Sequence, residues 1–232
     1  MQLKEIGSNL WTYEGETVSF YGLPYSTRMT VIRINRNELW VHSPEKLNPQ
    51  LQAELAQLGE VKYLISPNKL HHLYLPEWNT AYPEAASYAA PGLIEKRKDI
   101  QFTAELTDTP EPAWQDDIRQ LIFKGSPAMQ EVVFFHNDTR TLILTDLIEN
   151  FDPRLQLVAK APGPVHRHPS AQRQDADRLA QQFHLREKPG TAVLCGHGGL
   201  ATGEHHPLPR CLYLRQRHGV SAPVVFLAAV DP

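Results

Sequence analysis

Several things are scarce or missing in this 232-residue chain, and each absence removes a class of function. Cysteine is the first: Cys195 and Cys211 are the only two, both late and without a CxxC partner, which argues against a disulfide framework or a zinc knuckle. No apolar run approaches the roughly 18 residues that span a bilayer. Met1–Leu10 holds Lys4 and Glu5 but no apolar stretch, so a secretory leader is not expected and the cytoplasm is the default compartment. A strong excess of charge of one sign is also lacking: the net charge of -3 and a pI near 6.4 point away from a nucleic-acid or anionic-membrane partner; the partner expected is a small-molecule substrate or ligand.

A second kind of absence is local. From Asp152 to Pro232 there is no Ile, Asn, Trp or Met, while this stretch carries 7 of the 11 histidines and 9 of the 19 prolines. Its charge is +4 against -7 for the rest. The chain is therefore expected to divide into a domain over residues 1–151 and an atypical Pro/His/Arg-rich segment over 152–232. Low complexity is one explanation of that segment. A change of reading frame between residues 151 and 175 is another, and it would leave the late segment unselected for folding and the product non-functional. Only Ala222–Ala229 reads there as a strand-like apolar run, and Ala171–Leu185 has a helical outline with little to bury.

Before Asn150 the periodicity is regular. Leu10–Tyr13 and Thr17–Tyr21 read as strands. Met29–Ile34 and Glu38–His42 form a hairpin over Asn35-Arg36-Asn37, since asparagine tolerates the positive φ such turns need. Leu51, Leu55 and Leu58 share one face of a helix over Pro49–Leu58, with Asn48 as N-cap and Gly59 as stop. Val61–Ser66 is a buried strand, Leu70–Trp78 a short helix, Ser87–Ala89 a strand, and Pro91–Arg97 a helix opened by proline. Arg119–Lys124, Glu131–His136 and Thr141–Thr145 are strands.

Three stretches carry a family likeness: Leu39-Trp40-Val41-His42-Ser43-Pro44, then Ser66-Pro67-Asn68-Lys69-Leu70-His71-His72-Leu73, then Gly125-Ser126-Pro127 with Glu131–His136. Thr141–Asn150 completes it. Over residues 5–150 the chain resembles an uncharacterised domain-of-unknown-function family built on the metallo-β-lactamase-like hydrolase fold. The resemblance implies an α/β, αββα sandwich, irregular or incomplete after about residue 151. It also implies zinc or another divalent metal at the strand ends, where bound water becomes the nucleophile. An HxHxDH motif holds the metals in active members of that superfamily. Here its first two histidines correspond to Pro67 and Lys69, and its aspartate to His71. His72 and Asp146 match the last histidine and the bridging carboxylate, while the second histidine site falls near Pro127.

Candidate metal ligands are therefore His71, His72 and Asp146. The bland alternatives are packing or capping for the histidines and an N-cap role for Asp146. His136 reads as a surface strand end and His42 as structural. Gly196-His197-Gly198 and His205-His206 imitate the superfamily's late His-Gly motif and read as coincidence. Ser126 lacks a nucleophile elbow. Two functions are expected in consequence: a metal-dependent hydrolase with a degenerate site, or a non-catalytic relative that binds a ligand or partner in the old cleft.

Overall fold

The computed structural model describes residues 1–20, 23–126, 129–147, 192–195, 211–214 and 224–226. Strand β1 (Lys4–Gly7) pairs with β2 (Leu10–Phe20), which turns back as β3 (Leu23–Ile34), and β4 (Glu38–His42) continues across the expected hairpin. Asn35 and Arg36 take φ of 46° and 69° in that turn, so the second left-handed residue is an arginine. Helix α1 (Pro49–Leu58) begins where expected, because the Asn48 side chain accepts the Leu51 amide at 2.9 Å. It closes where the Gly59 amide reaches the Leu55 carbonyl.

The chain then runs through β5 (Glu60–Ser66), α2 (Leu75–Ala81), β6 (Ala86–Ala89), α3 (Leu93–Lys96) and the two-residue β7 (Ala104–Glu105). These strands complete a seven-stranded sheet in chain order, antiparallel through β4 and parallel from β4 to β7. Both short helices start later than the sequence suggests. Proline at position 76 sets the start of α2, since a ring without an N–H is tolerated only in a helix's first turn. Leu70–Tyr74 instead forms turns around Asn68.

The second sheet holds β8 (Ile118–Ser126), β9 (Met129–His136), β10 (Thr141–Leu144), β11 (Ala192–Cys195), β12 (Cys211–Leu214) and β13 (Val224–Phe226), in the order β12-β11-β13-β10-β9-β8. The apolar run at 222–229 thus contributes a strand, parallel to β10. Its two companions, β11 and β12, carry no strand signal that composition revealed. The expected helical outline over 171–185 lies outside the described residues.

Alternation along the first sheet feeds two cores. Ile32, Trp40, Ile65 and Tyr88 point inward against Trp114, Phe134 and Ile143 of the opposite side. Val31, Leu39, Val41 and Leu64 point outward and bury Leu51 and Leu55 of α1 with Leu75 and Trp78 of α2. Trp40 anchors the inner core, edge-on to Phe134 at 4.9 Å and to Trp114 at 6.4 Å. The parallel strands β4, β5 and β6 all end at one rim of this sandwich, and the loops that leave them build the site.

Candidate functional site

Four loops meet at that rim. The first leaves β4 at His42 and turns through Ser43, whose φ of 54° is rare for a residue with a side chain. The Ser43 amide is tied to the Ile65 carbonyl at 2.9 Å, which holds the β4 exit against the end of β5. The second loop leaves β5 at Ser66. The Pro67 carbonyl accepts the Val132 amide at 2.8 Å, so this loop is bound to the second sheet as well.

Asn68 organises the rest of this second loop. Its side-chain oxygen accepts the amides of Leu70 at 2.8 Å and His71 at 3.0 Å, an Asx-type turn that fixes the backbone. Its amide nitrogen donates to the Asp146 carboxylate at 2.7 Å and to the Thr145 hydroxyl at 3.0 Å. His71 then reaches both sides: Nδ1 lies 2.6 Å from the Ser43 hydroxyl and Nε2 lies 3.2 Å from Asp146 Oδ1. Behind Asp146 the fully buried Glu131 carboxylate accepts three successive amides, Thr145 at 2.6 Å, Asp146 at 2.8 Å and Leu147 at 3.1 Å.

Charge follows this geometry. Burial alone pulls the His71 imidazole down. The Asp146 carboxylate and its hydrogen bond, with Glu131 and Glu45 behind, outweigh that and leave it above its ordinary value. Burial pushes Glu131 up, and the nearby Asp146 charge adds to the effect. Glu45 is buried beside the Thr27 hydroxyl at 2.7 Å and is pushed up to about 7, chiefly by burial.

His72 faces the other way. Arg97 Nη1 lies 2.5 Å from its Nδ1, and Lys96 Nζ lies 3.3 Å from its Nε2. Of the three expected ligands, the structure brings His71 and Asp146 together and places His72 among cationic side chains. Among the described residues, no group of three or more His, Cys, Asp or Glu side chains is placed to hold a metal ion. The donor set agrees with that: both His71 nitrogens are hydrogen-bonded and Lys69 occupies a position that the resemblance gives to a histidine. The described residues do not fit a metal centre of the kind the resemblance implies.

The other histidines fall apart from this network or behind it. His136 is a correction: it is buried rather than a surface strand end, and its Nδ1 meets the Thr139 hydroxyl at 2.8 Å. It sits at the far end of β9 from Met129. His42 is structural as expected. It stacks on Trp40 at 5.5 Å and meets Phe134 edge-on, with neither ring nitrogen hydrogen-bonded. Burial, then the proximity of His71, holds its pKa well below the usual value. Gly196-His197-Gly198, His205 and His206 lie outside the described residues, as does the Ser126 side chain. Asp146 meets Asn68 and His71 through its carboxylate. Residues 148–150 of the turn it was expected to cap lie outside the described residues.

Sequence reasoning gave no role to Ser43, Glu45, Asn68 or Glu131. The one signal available was Glu131 itself, an acid heading the apolar run Val132-Val133-Phe134-Phe135. A carboxylate in such company needs a specific partner.

A family model described as a domain of unknown function (DUF4336) matches residues 8–189 and so crosses the composition break near Phe151. No curated protein matches. Among solved structures, a metallo-β-lactamase from Hirschia baltica superposes with a TM-score of 0.58 at 11% identity, over 85% of this chain and 90% of that one. DIM-1 metallo-β-lactamase, exposed to ceftazidime, gives 0.56 at 11%, over 78% and 84%. IND-7 metallo-β-lactamase gives 0.53 at 14%, over 78% and 84%. At such identities the likeness is one of fold, and the fold is metallo-β-lactamase-like.

Proposed function

The chain belongs to the DUF4336 family, and from that premise we propose that it is a ligand-binding relative of the metallo-β-lactamase fold. Its strand-end rim takes a small molecule without the metal pair. The observation that carries this reading is the closed network around His71. Ser43 and Asp146 occupy both imidazole nitrogens, and Asn68 holds the other Asp146 oxygen. A metal at this point would have to displace a buried, charge-assisted contact and find further ligands beyond it.

The metal-dependent hydrolase reading has one observation in its favour. His71 and Asp146 do face each other across 3.2 Å, so two donors are already converged. Metal analysis of the purified full-length protein, followed by thermal unfolding with and without a chelator, separates the two readings. The binding reading expects far less than one metal per chain and an unchanged melting temperature. It also expects saturable stabilisation by some member of a small-metabolite panel. Stoichiometric zinc whose removal lowers the melting temperature would overturn it in favour of the hydrolase.

A further inference from the structure

Thr27 has fewer hydrogens than its contacts require. Its hydroxyl carries one, yet Oγ1 lies within bonding distance of two acceptors, the Glu16 carbonyl at 2.9 Å and Glu45 Oε2 at 2.7 Å. An ionised carboxylate only accepts, so with Glu45 charged the single hydrogen must be shared between them. A proton on Glu45 removes the conflict. The carboxyl O–H then donates to Thr27 Oγ1, and the Thr27 O–H donates to the Glu16 carbonyl.

These contacts sit at a bulge. Glu14 pairs with Arg28 and Thr17 with Ser26, so Gly15 and Glu16 of β2 together oppose Thr27 of β3. The Glu45 carboxyl lies directly against them: a Cβ on Gly15 would collide with it and with the Thr27 hydroxyl. Glu45 is only 1% exposed, and Trp78 Nε1 donates to its carbonyl at 2.6 Å, which ties it to α2. His42, at the end of β4, pairs with Thr30, so the part of the β2–β3 hairpin that holds the bulge continues past the strand-end rim. Glu45 belongs to the loop that leaves β4 through Ser43, and it joins that bulge to the rim.

The surroundings disfavour charge on Glu45. Around it stand Glu14 and Glu16 from β2 and His71 and Tyr74 from the turns after β5. Arg28 Nε answers Glu14 at 3.0 Å, and Lys46 Nζ answers Glu16 at 3.5 Å. Burial pushes the Glu45 carboxyl up to about 7, against the pull of the Thr27 bond and of His71.

We propose that Glu45, with a proton on its carboxyl, latches the β2–β3 hairpin to the rim through Thr27 and Glu16, and that loss of this proton to solvent loosens the hairpin. The latch acts independently of any ligand. An ionised Glu45 draws the Thr27 hydrogen to itself and leaves the Glu16 carbonyl without it. It also sets a third negative charge beside Glu14 and Glu16 in a buried contact.

Hydrogen exchange of the full-length protein, read by mass spectrometry at pH 5.5 and pH 7.5 and corrected for the intrinsic effect of pH, tests this. Amides of residues 14–20 and 23–28 should lose about tenfold in protection between the two, because the loosened hairpin gives up a proton that the latched one keeps. They should exchange faster than those of α1 at both pH values, the mark of a local opening. Glu45→Gln, whose side-chain amide can donate to Thr27 at either pH, should abolish the step. Thr27→Val carries the test should Glu45→Gln fail to fold: it breaks the relay and should lower hairpin protection at pH 5.5 several-fold. Hairpin amides that open only together with α1, or keep the same protection at both pH values, would overturn the proposal. So would a step that persists in Glu45→Gln, or wild-type protection at pH 5.5 in Thr27→Val.

Discussion

Behind His71 lie Asp146, Glu131 and Glu45, contributed by three different loops and strands. Around His72, one residue later, lie Arg97 and Lys96 from the end of α3. The first imidazole is drawn into a closed acid-lined network that bridges the two sheets. The second stands at a basic rim. Both rings belong to the same turn, fixed by Asn68, and neighbouring side chains there leave in different directions. Two histidines adjacent in sequence thus meet different partners in space, acidic and neutral ones for His71 and cationic ones for His72.

The acid side should show the largest effect of a single substitution. Glu131→Ala removes the acceptor of three buried amides at residues 145–147. Urea unfolding should show a loss of about 3–5 kcal/mol, because buried donors left without a partner cost their full desolvation. A loss below about 1 kcal/mol would mean that Asp146 is held by something else and that the acid side is not a unit.

His42→Phe should act in the opposite direction. Both His42 nitrogens are buried without a hydrogen bond, whereas stacking on Trp40 and the edge-on contact with Phe134 suit a phenyl group. A gain of about 1–3 kcal/mol is expected. The pH dependence adds a check. His42 has a lowered folded-state pKa, so below its ordinary value near 6.5 the unfolded chain binds a proton that the folded chain does not. Stability therefore falls as pH drops through that region, and the variant should lose this part of the acid limb.

Glu45 gives the opposite sign. Its folded pKa is raised from 4.5 to about 7, so between those values the folded chain binds the extra proton and stability falls as pH rises. Glu45→Gln should flatten that slope, with a difference on the order of 2 kcal/mol between pH 5 and pH 8 in denaturant titrations. A parallel pH profile for the two proteins would show that Glu45 does not titrate in this range. The smallest effect belongs to the helical layer, away from both rings. Asn48→Ala should cost about 1 kcal/mol by removing the cap on α1, at every pH.

Much of the fold was legible because its signals are local. The hairpin at Asn35–Asn37, the Asn48 cap, the Gly59 stop and the apolar strand β5 each rest on short-range backbone chemistry. The starts of α2 and α3 differ from the sequence expectation where Asn68 and Gly92 override the apolar pattern with turns. Strands β11 and β12 lack a local signal and exist through pairing with partners distant in the chain. At the site, Asp146 and His71 were readable as rim residues from their places after β10 and β5. That His72 turns toward Arg97 was not, since 25 residues separate the two and only packing of α3 joins them. Ser43 and Asn68 were equally hidden, because each acts through contacts closed by the tertiary fold, whereas Glu131 showed only as an acid at the head of an apolar run.

His71 is paired with Ser43 and Asp146, and His72 faces Arg97 and Lys96. Nitrogen-15 spectra of the histidine side chains, recorded through a pH titration and again after one equivalent of zinc, test this arrangement directly. His71 should titrate above the ordinary histidine value, and zinc should leave the ring resonances of both His71 and His72 in place. Joint, stoichiometric zinc shifts of His71 and His72 would contradict it and return the pair to metal binding.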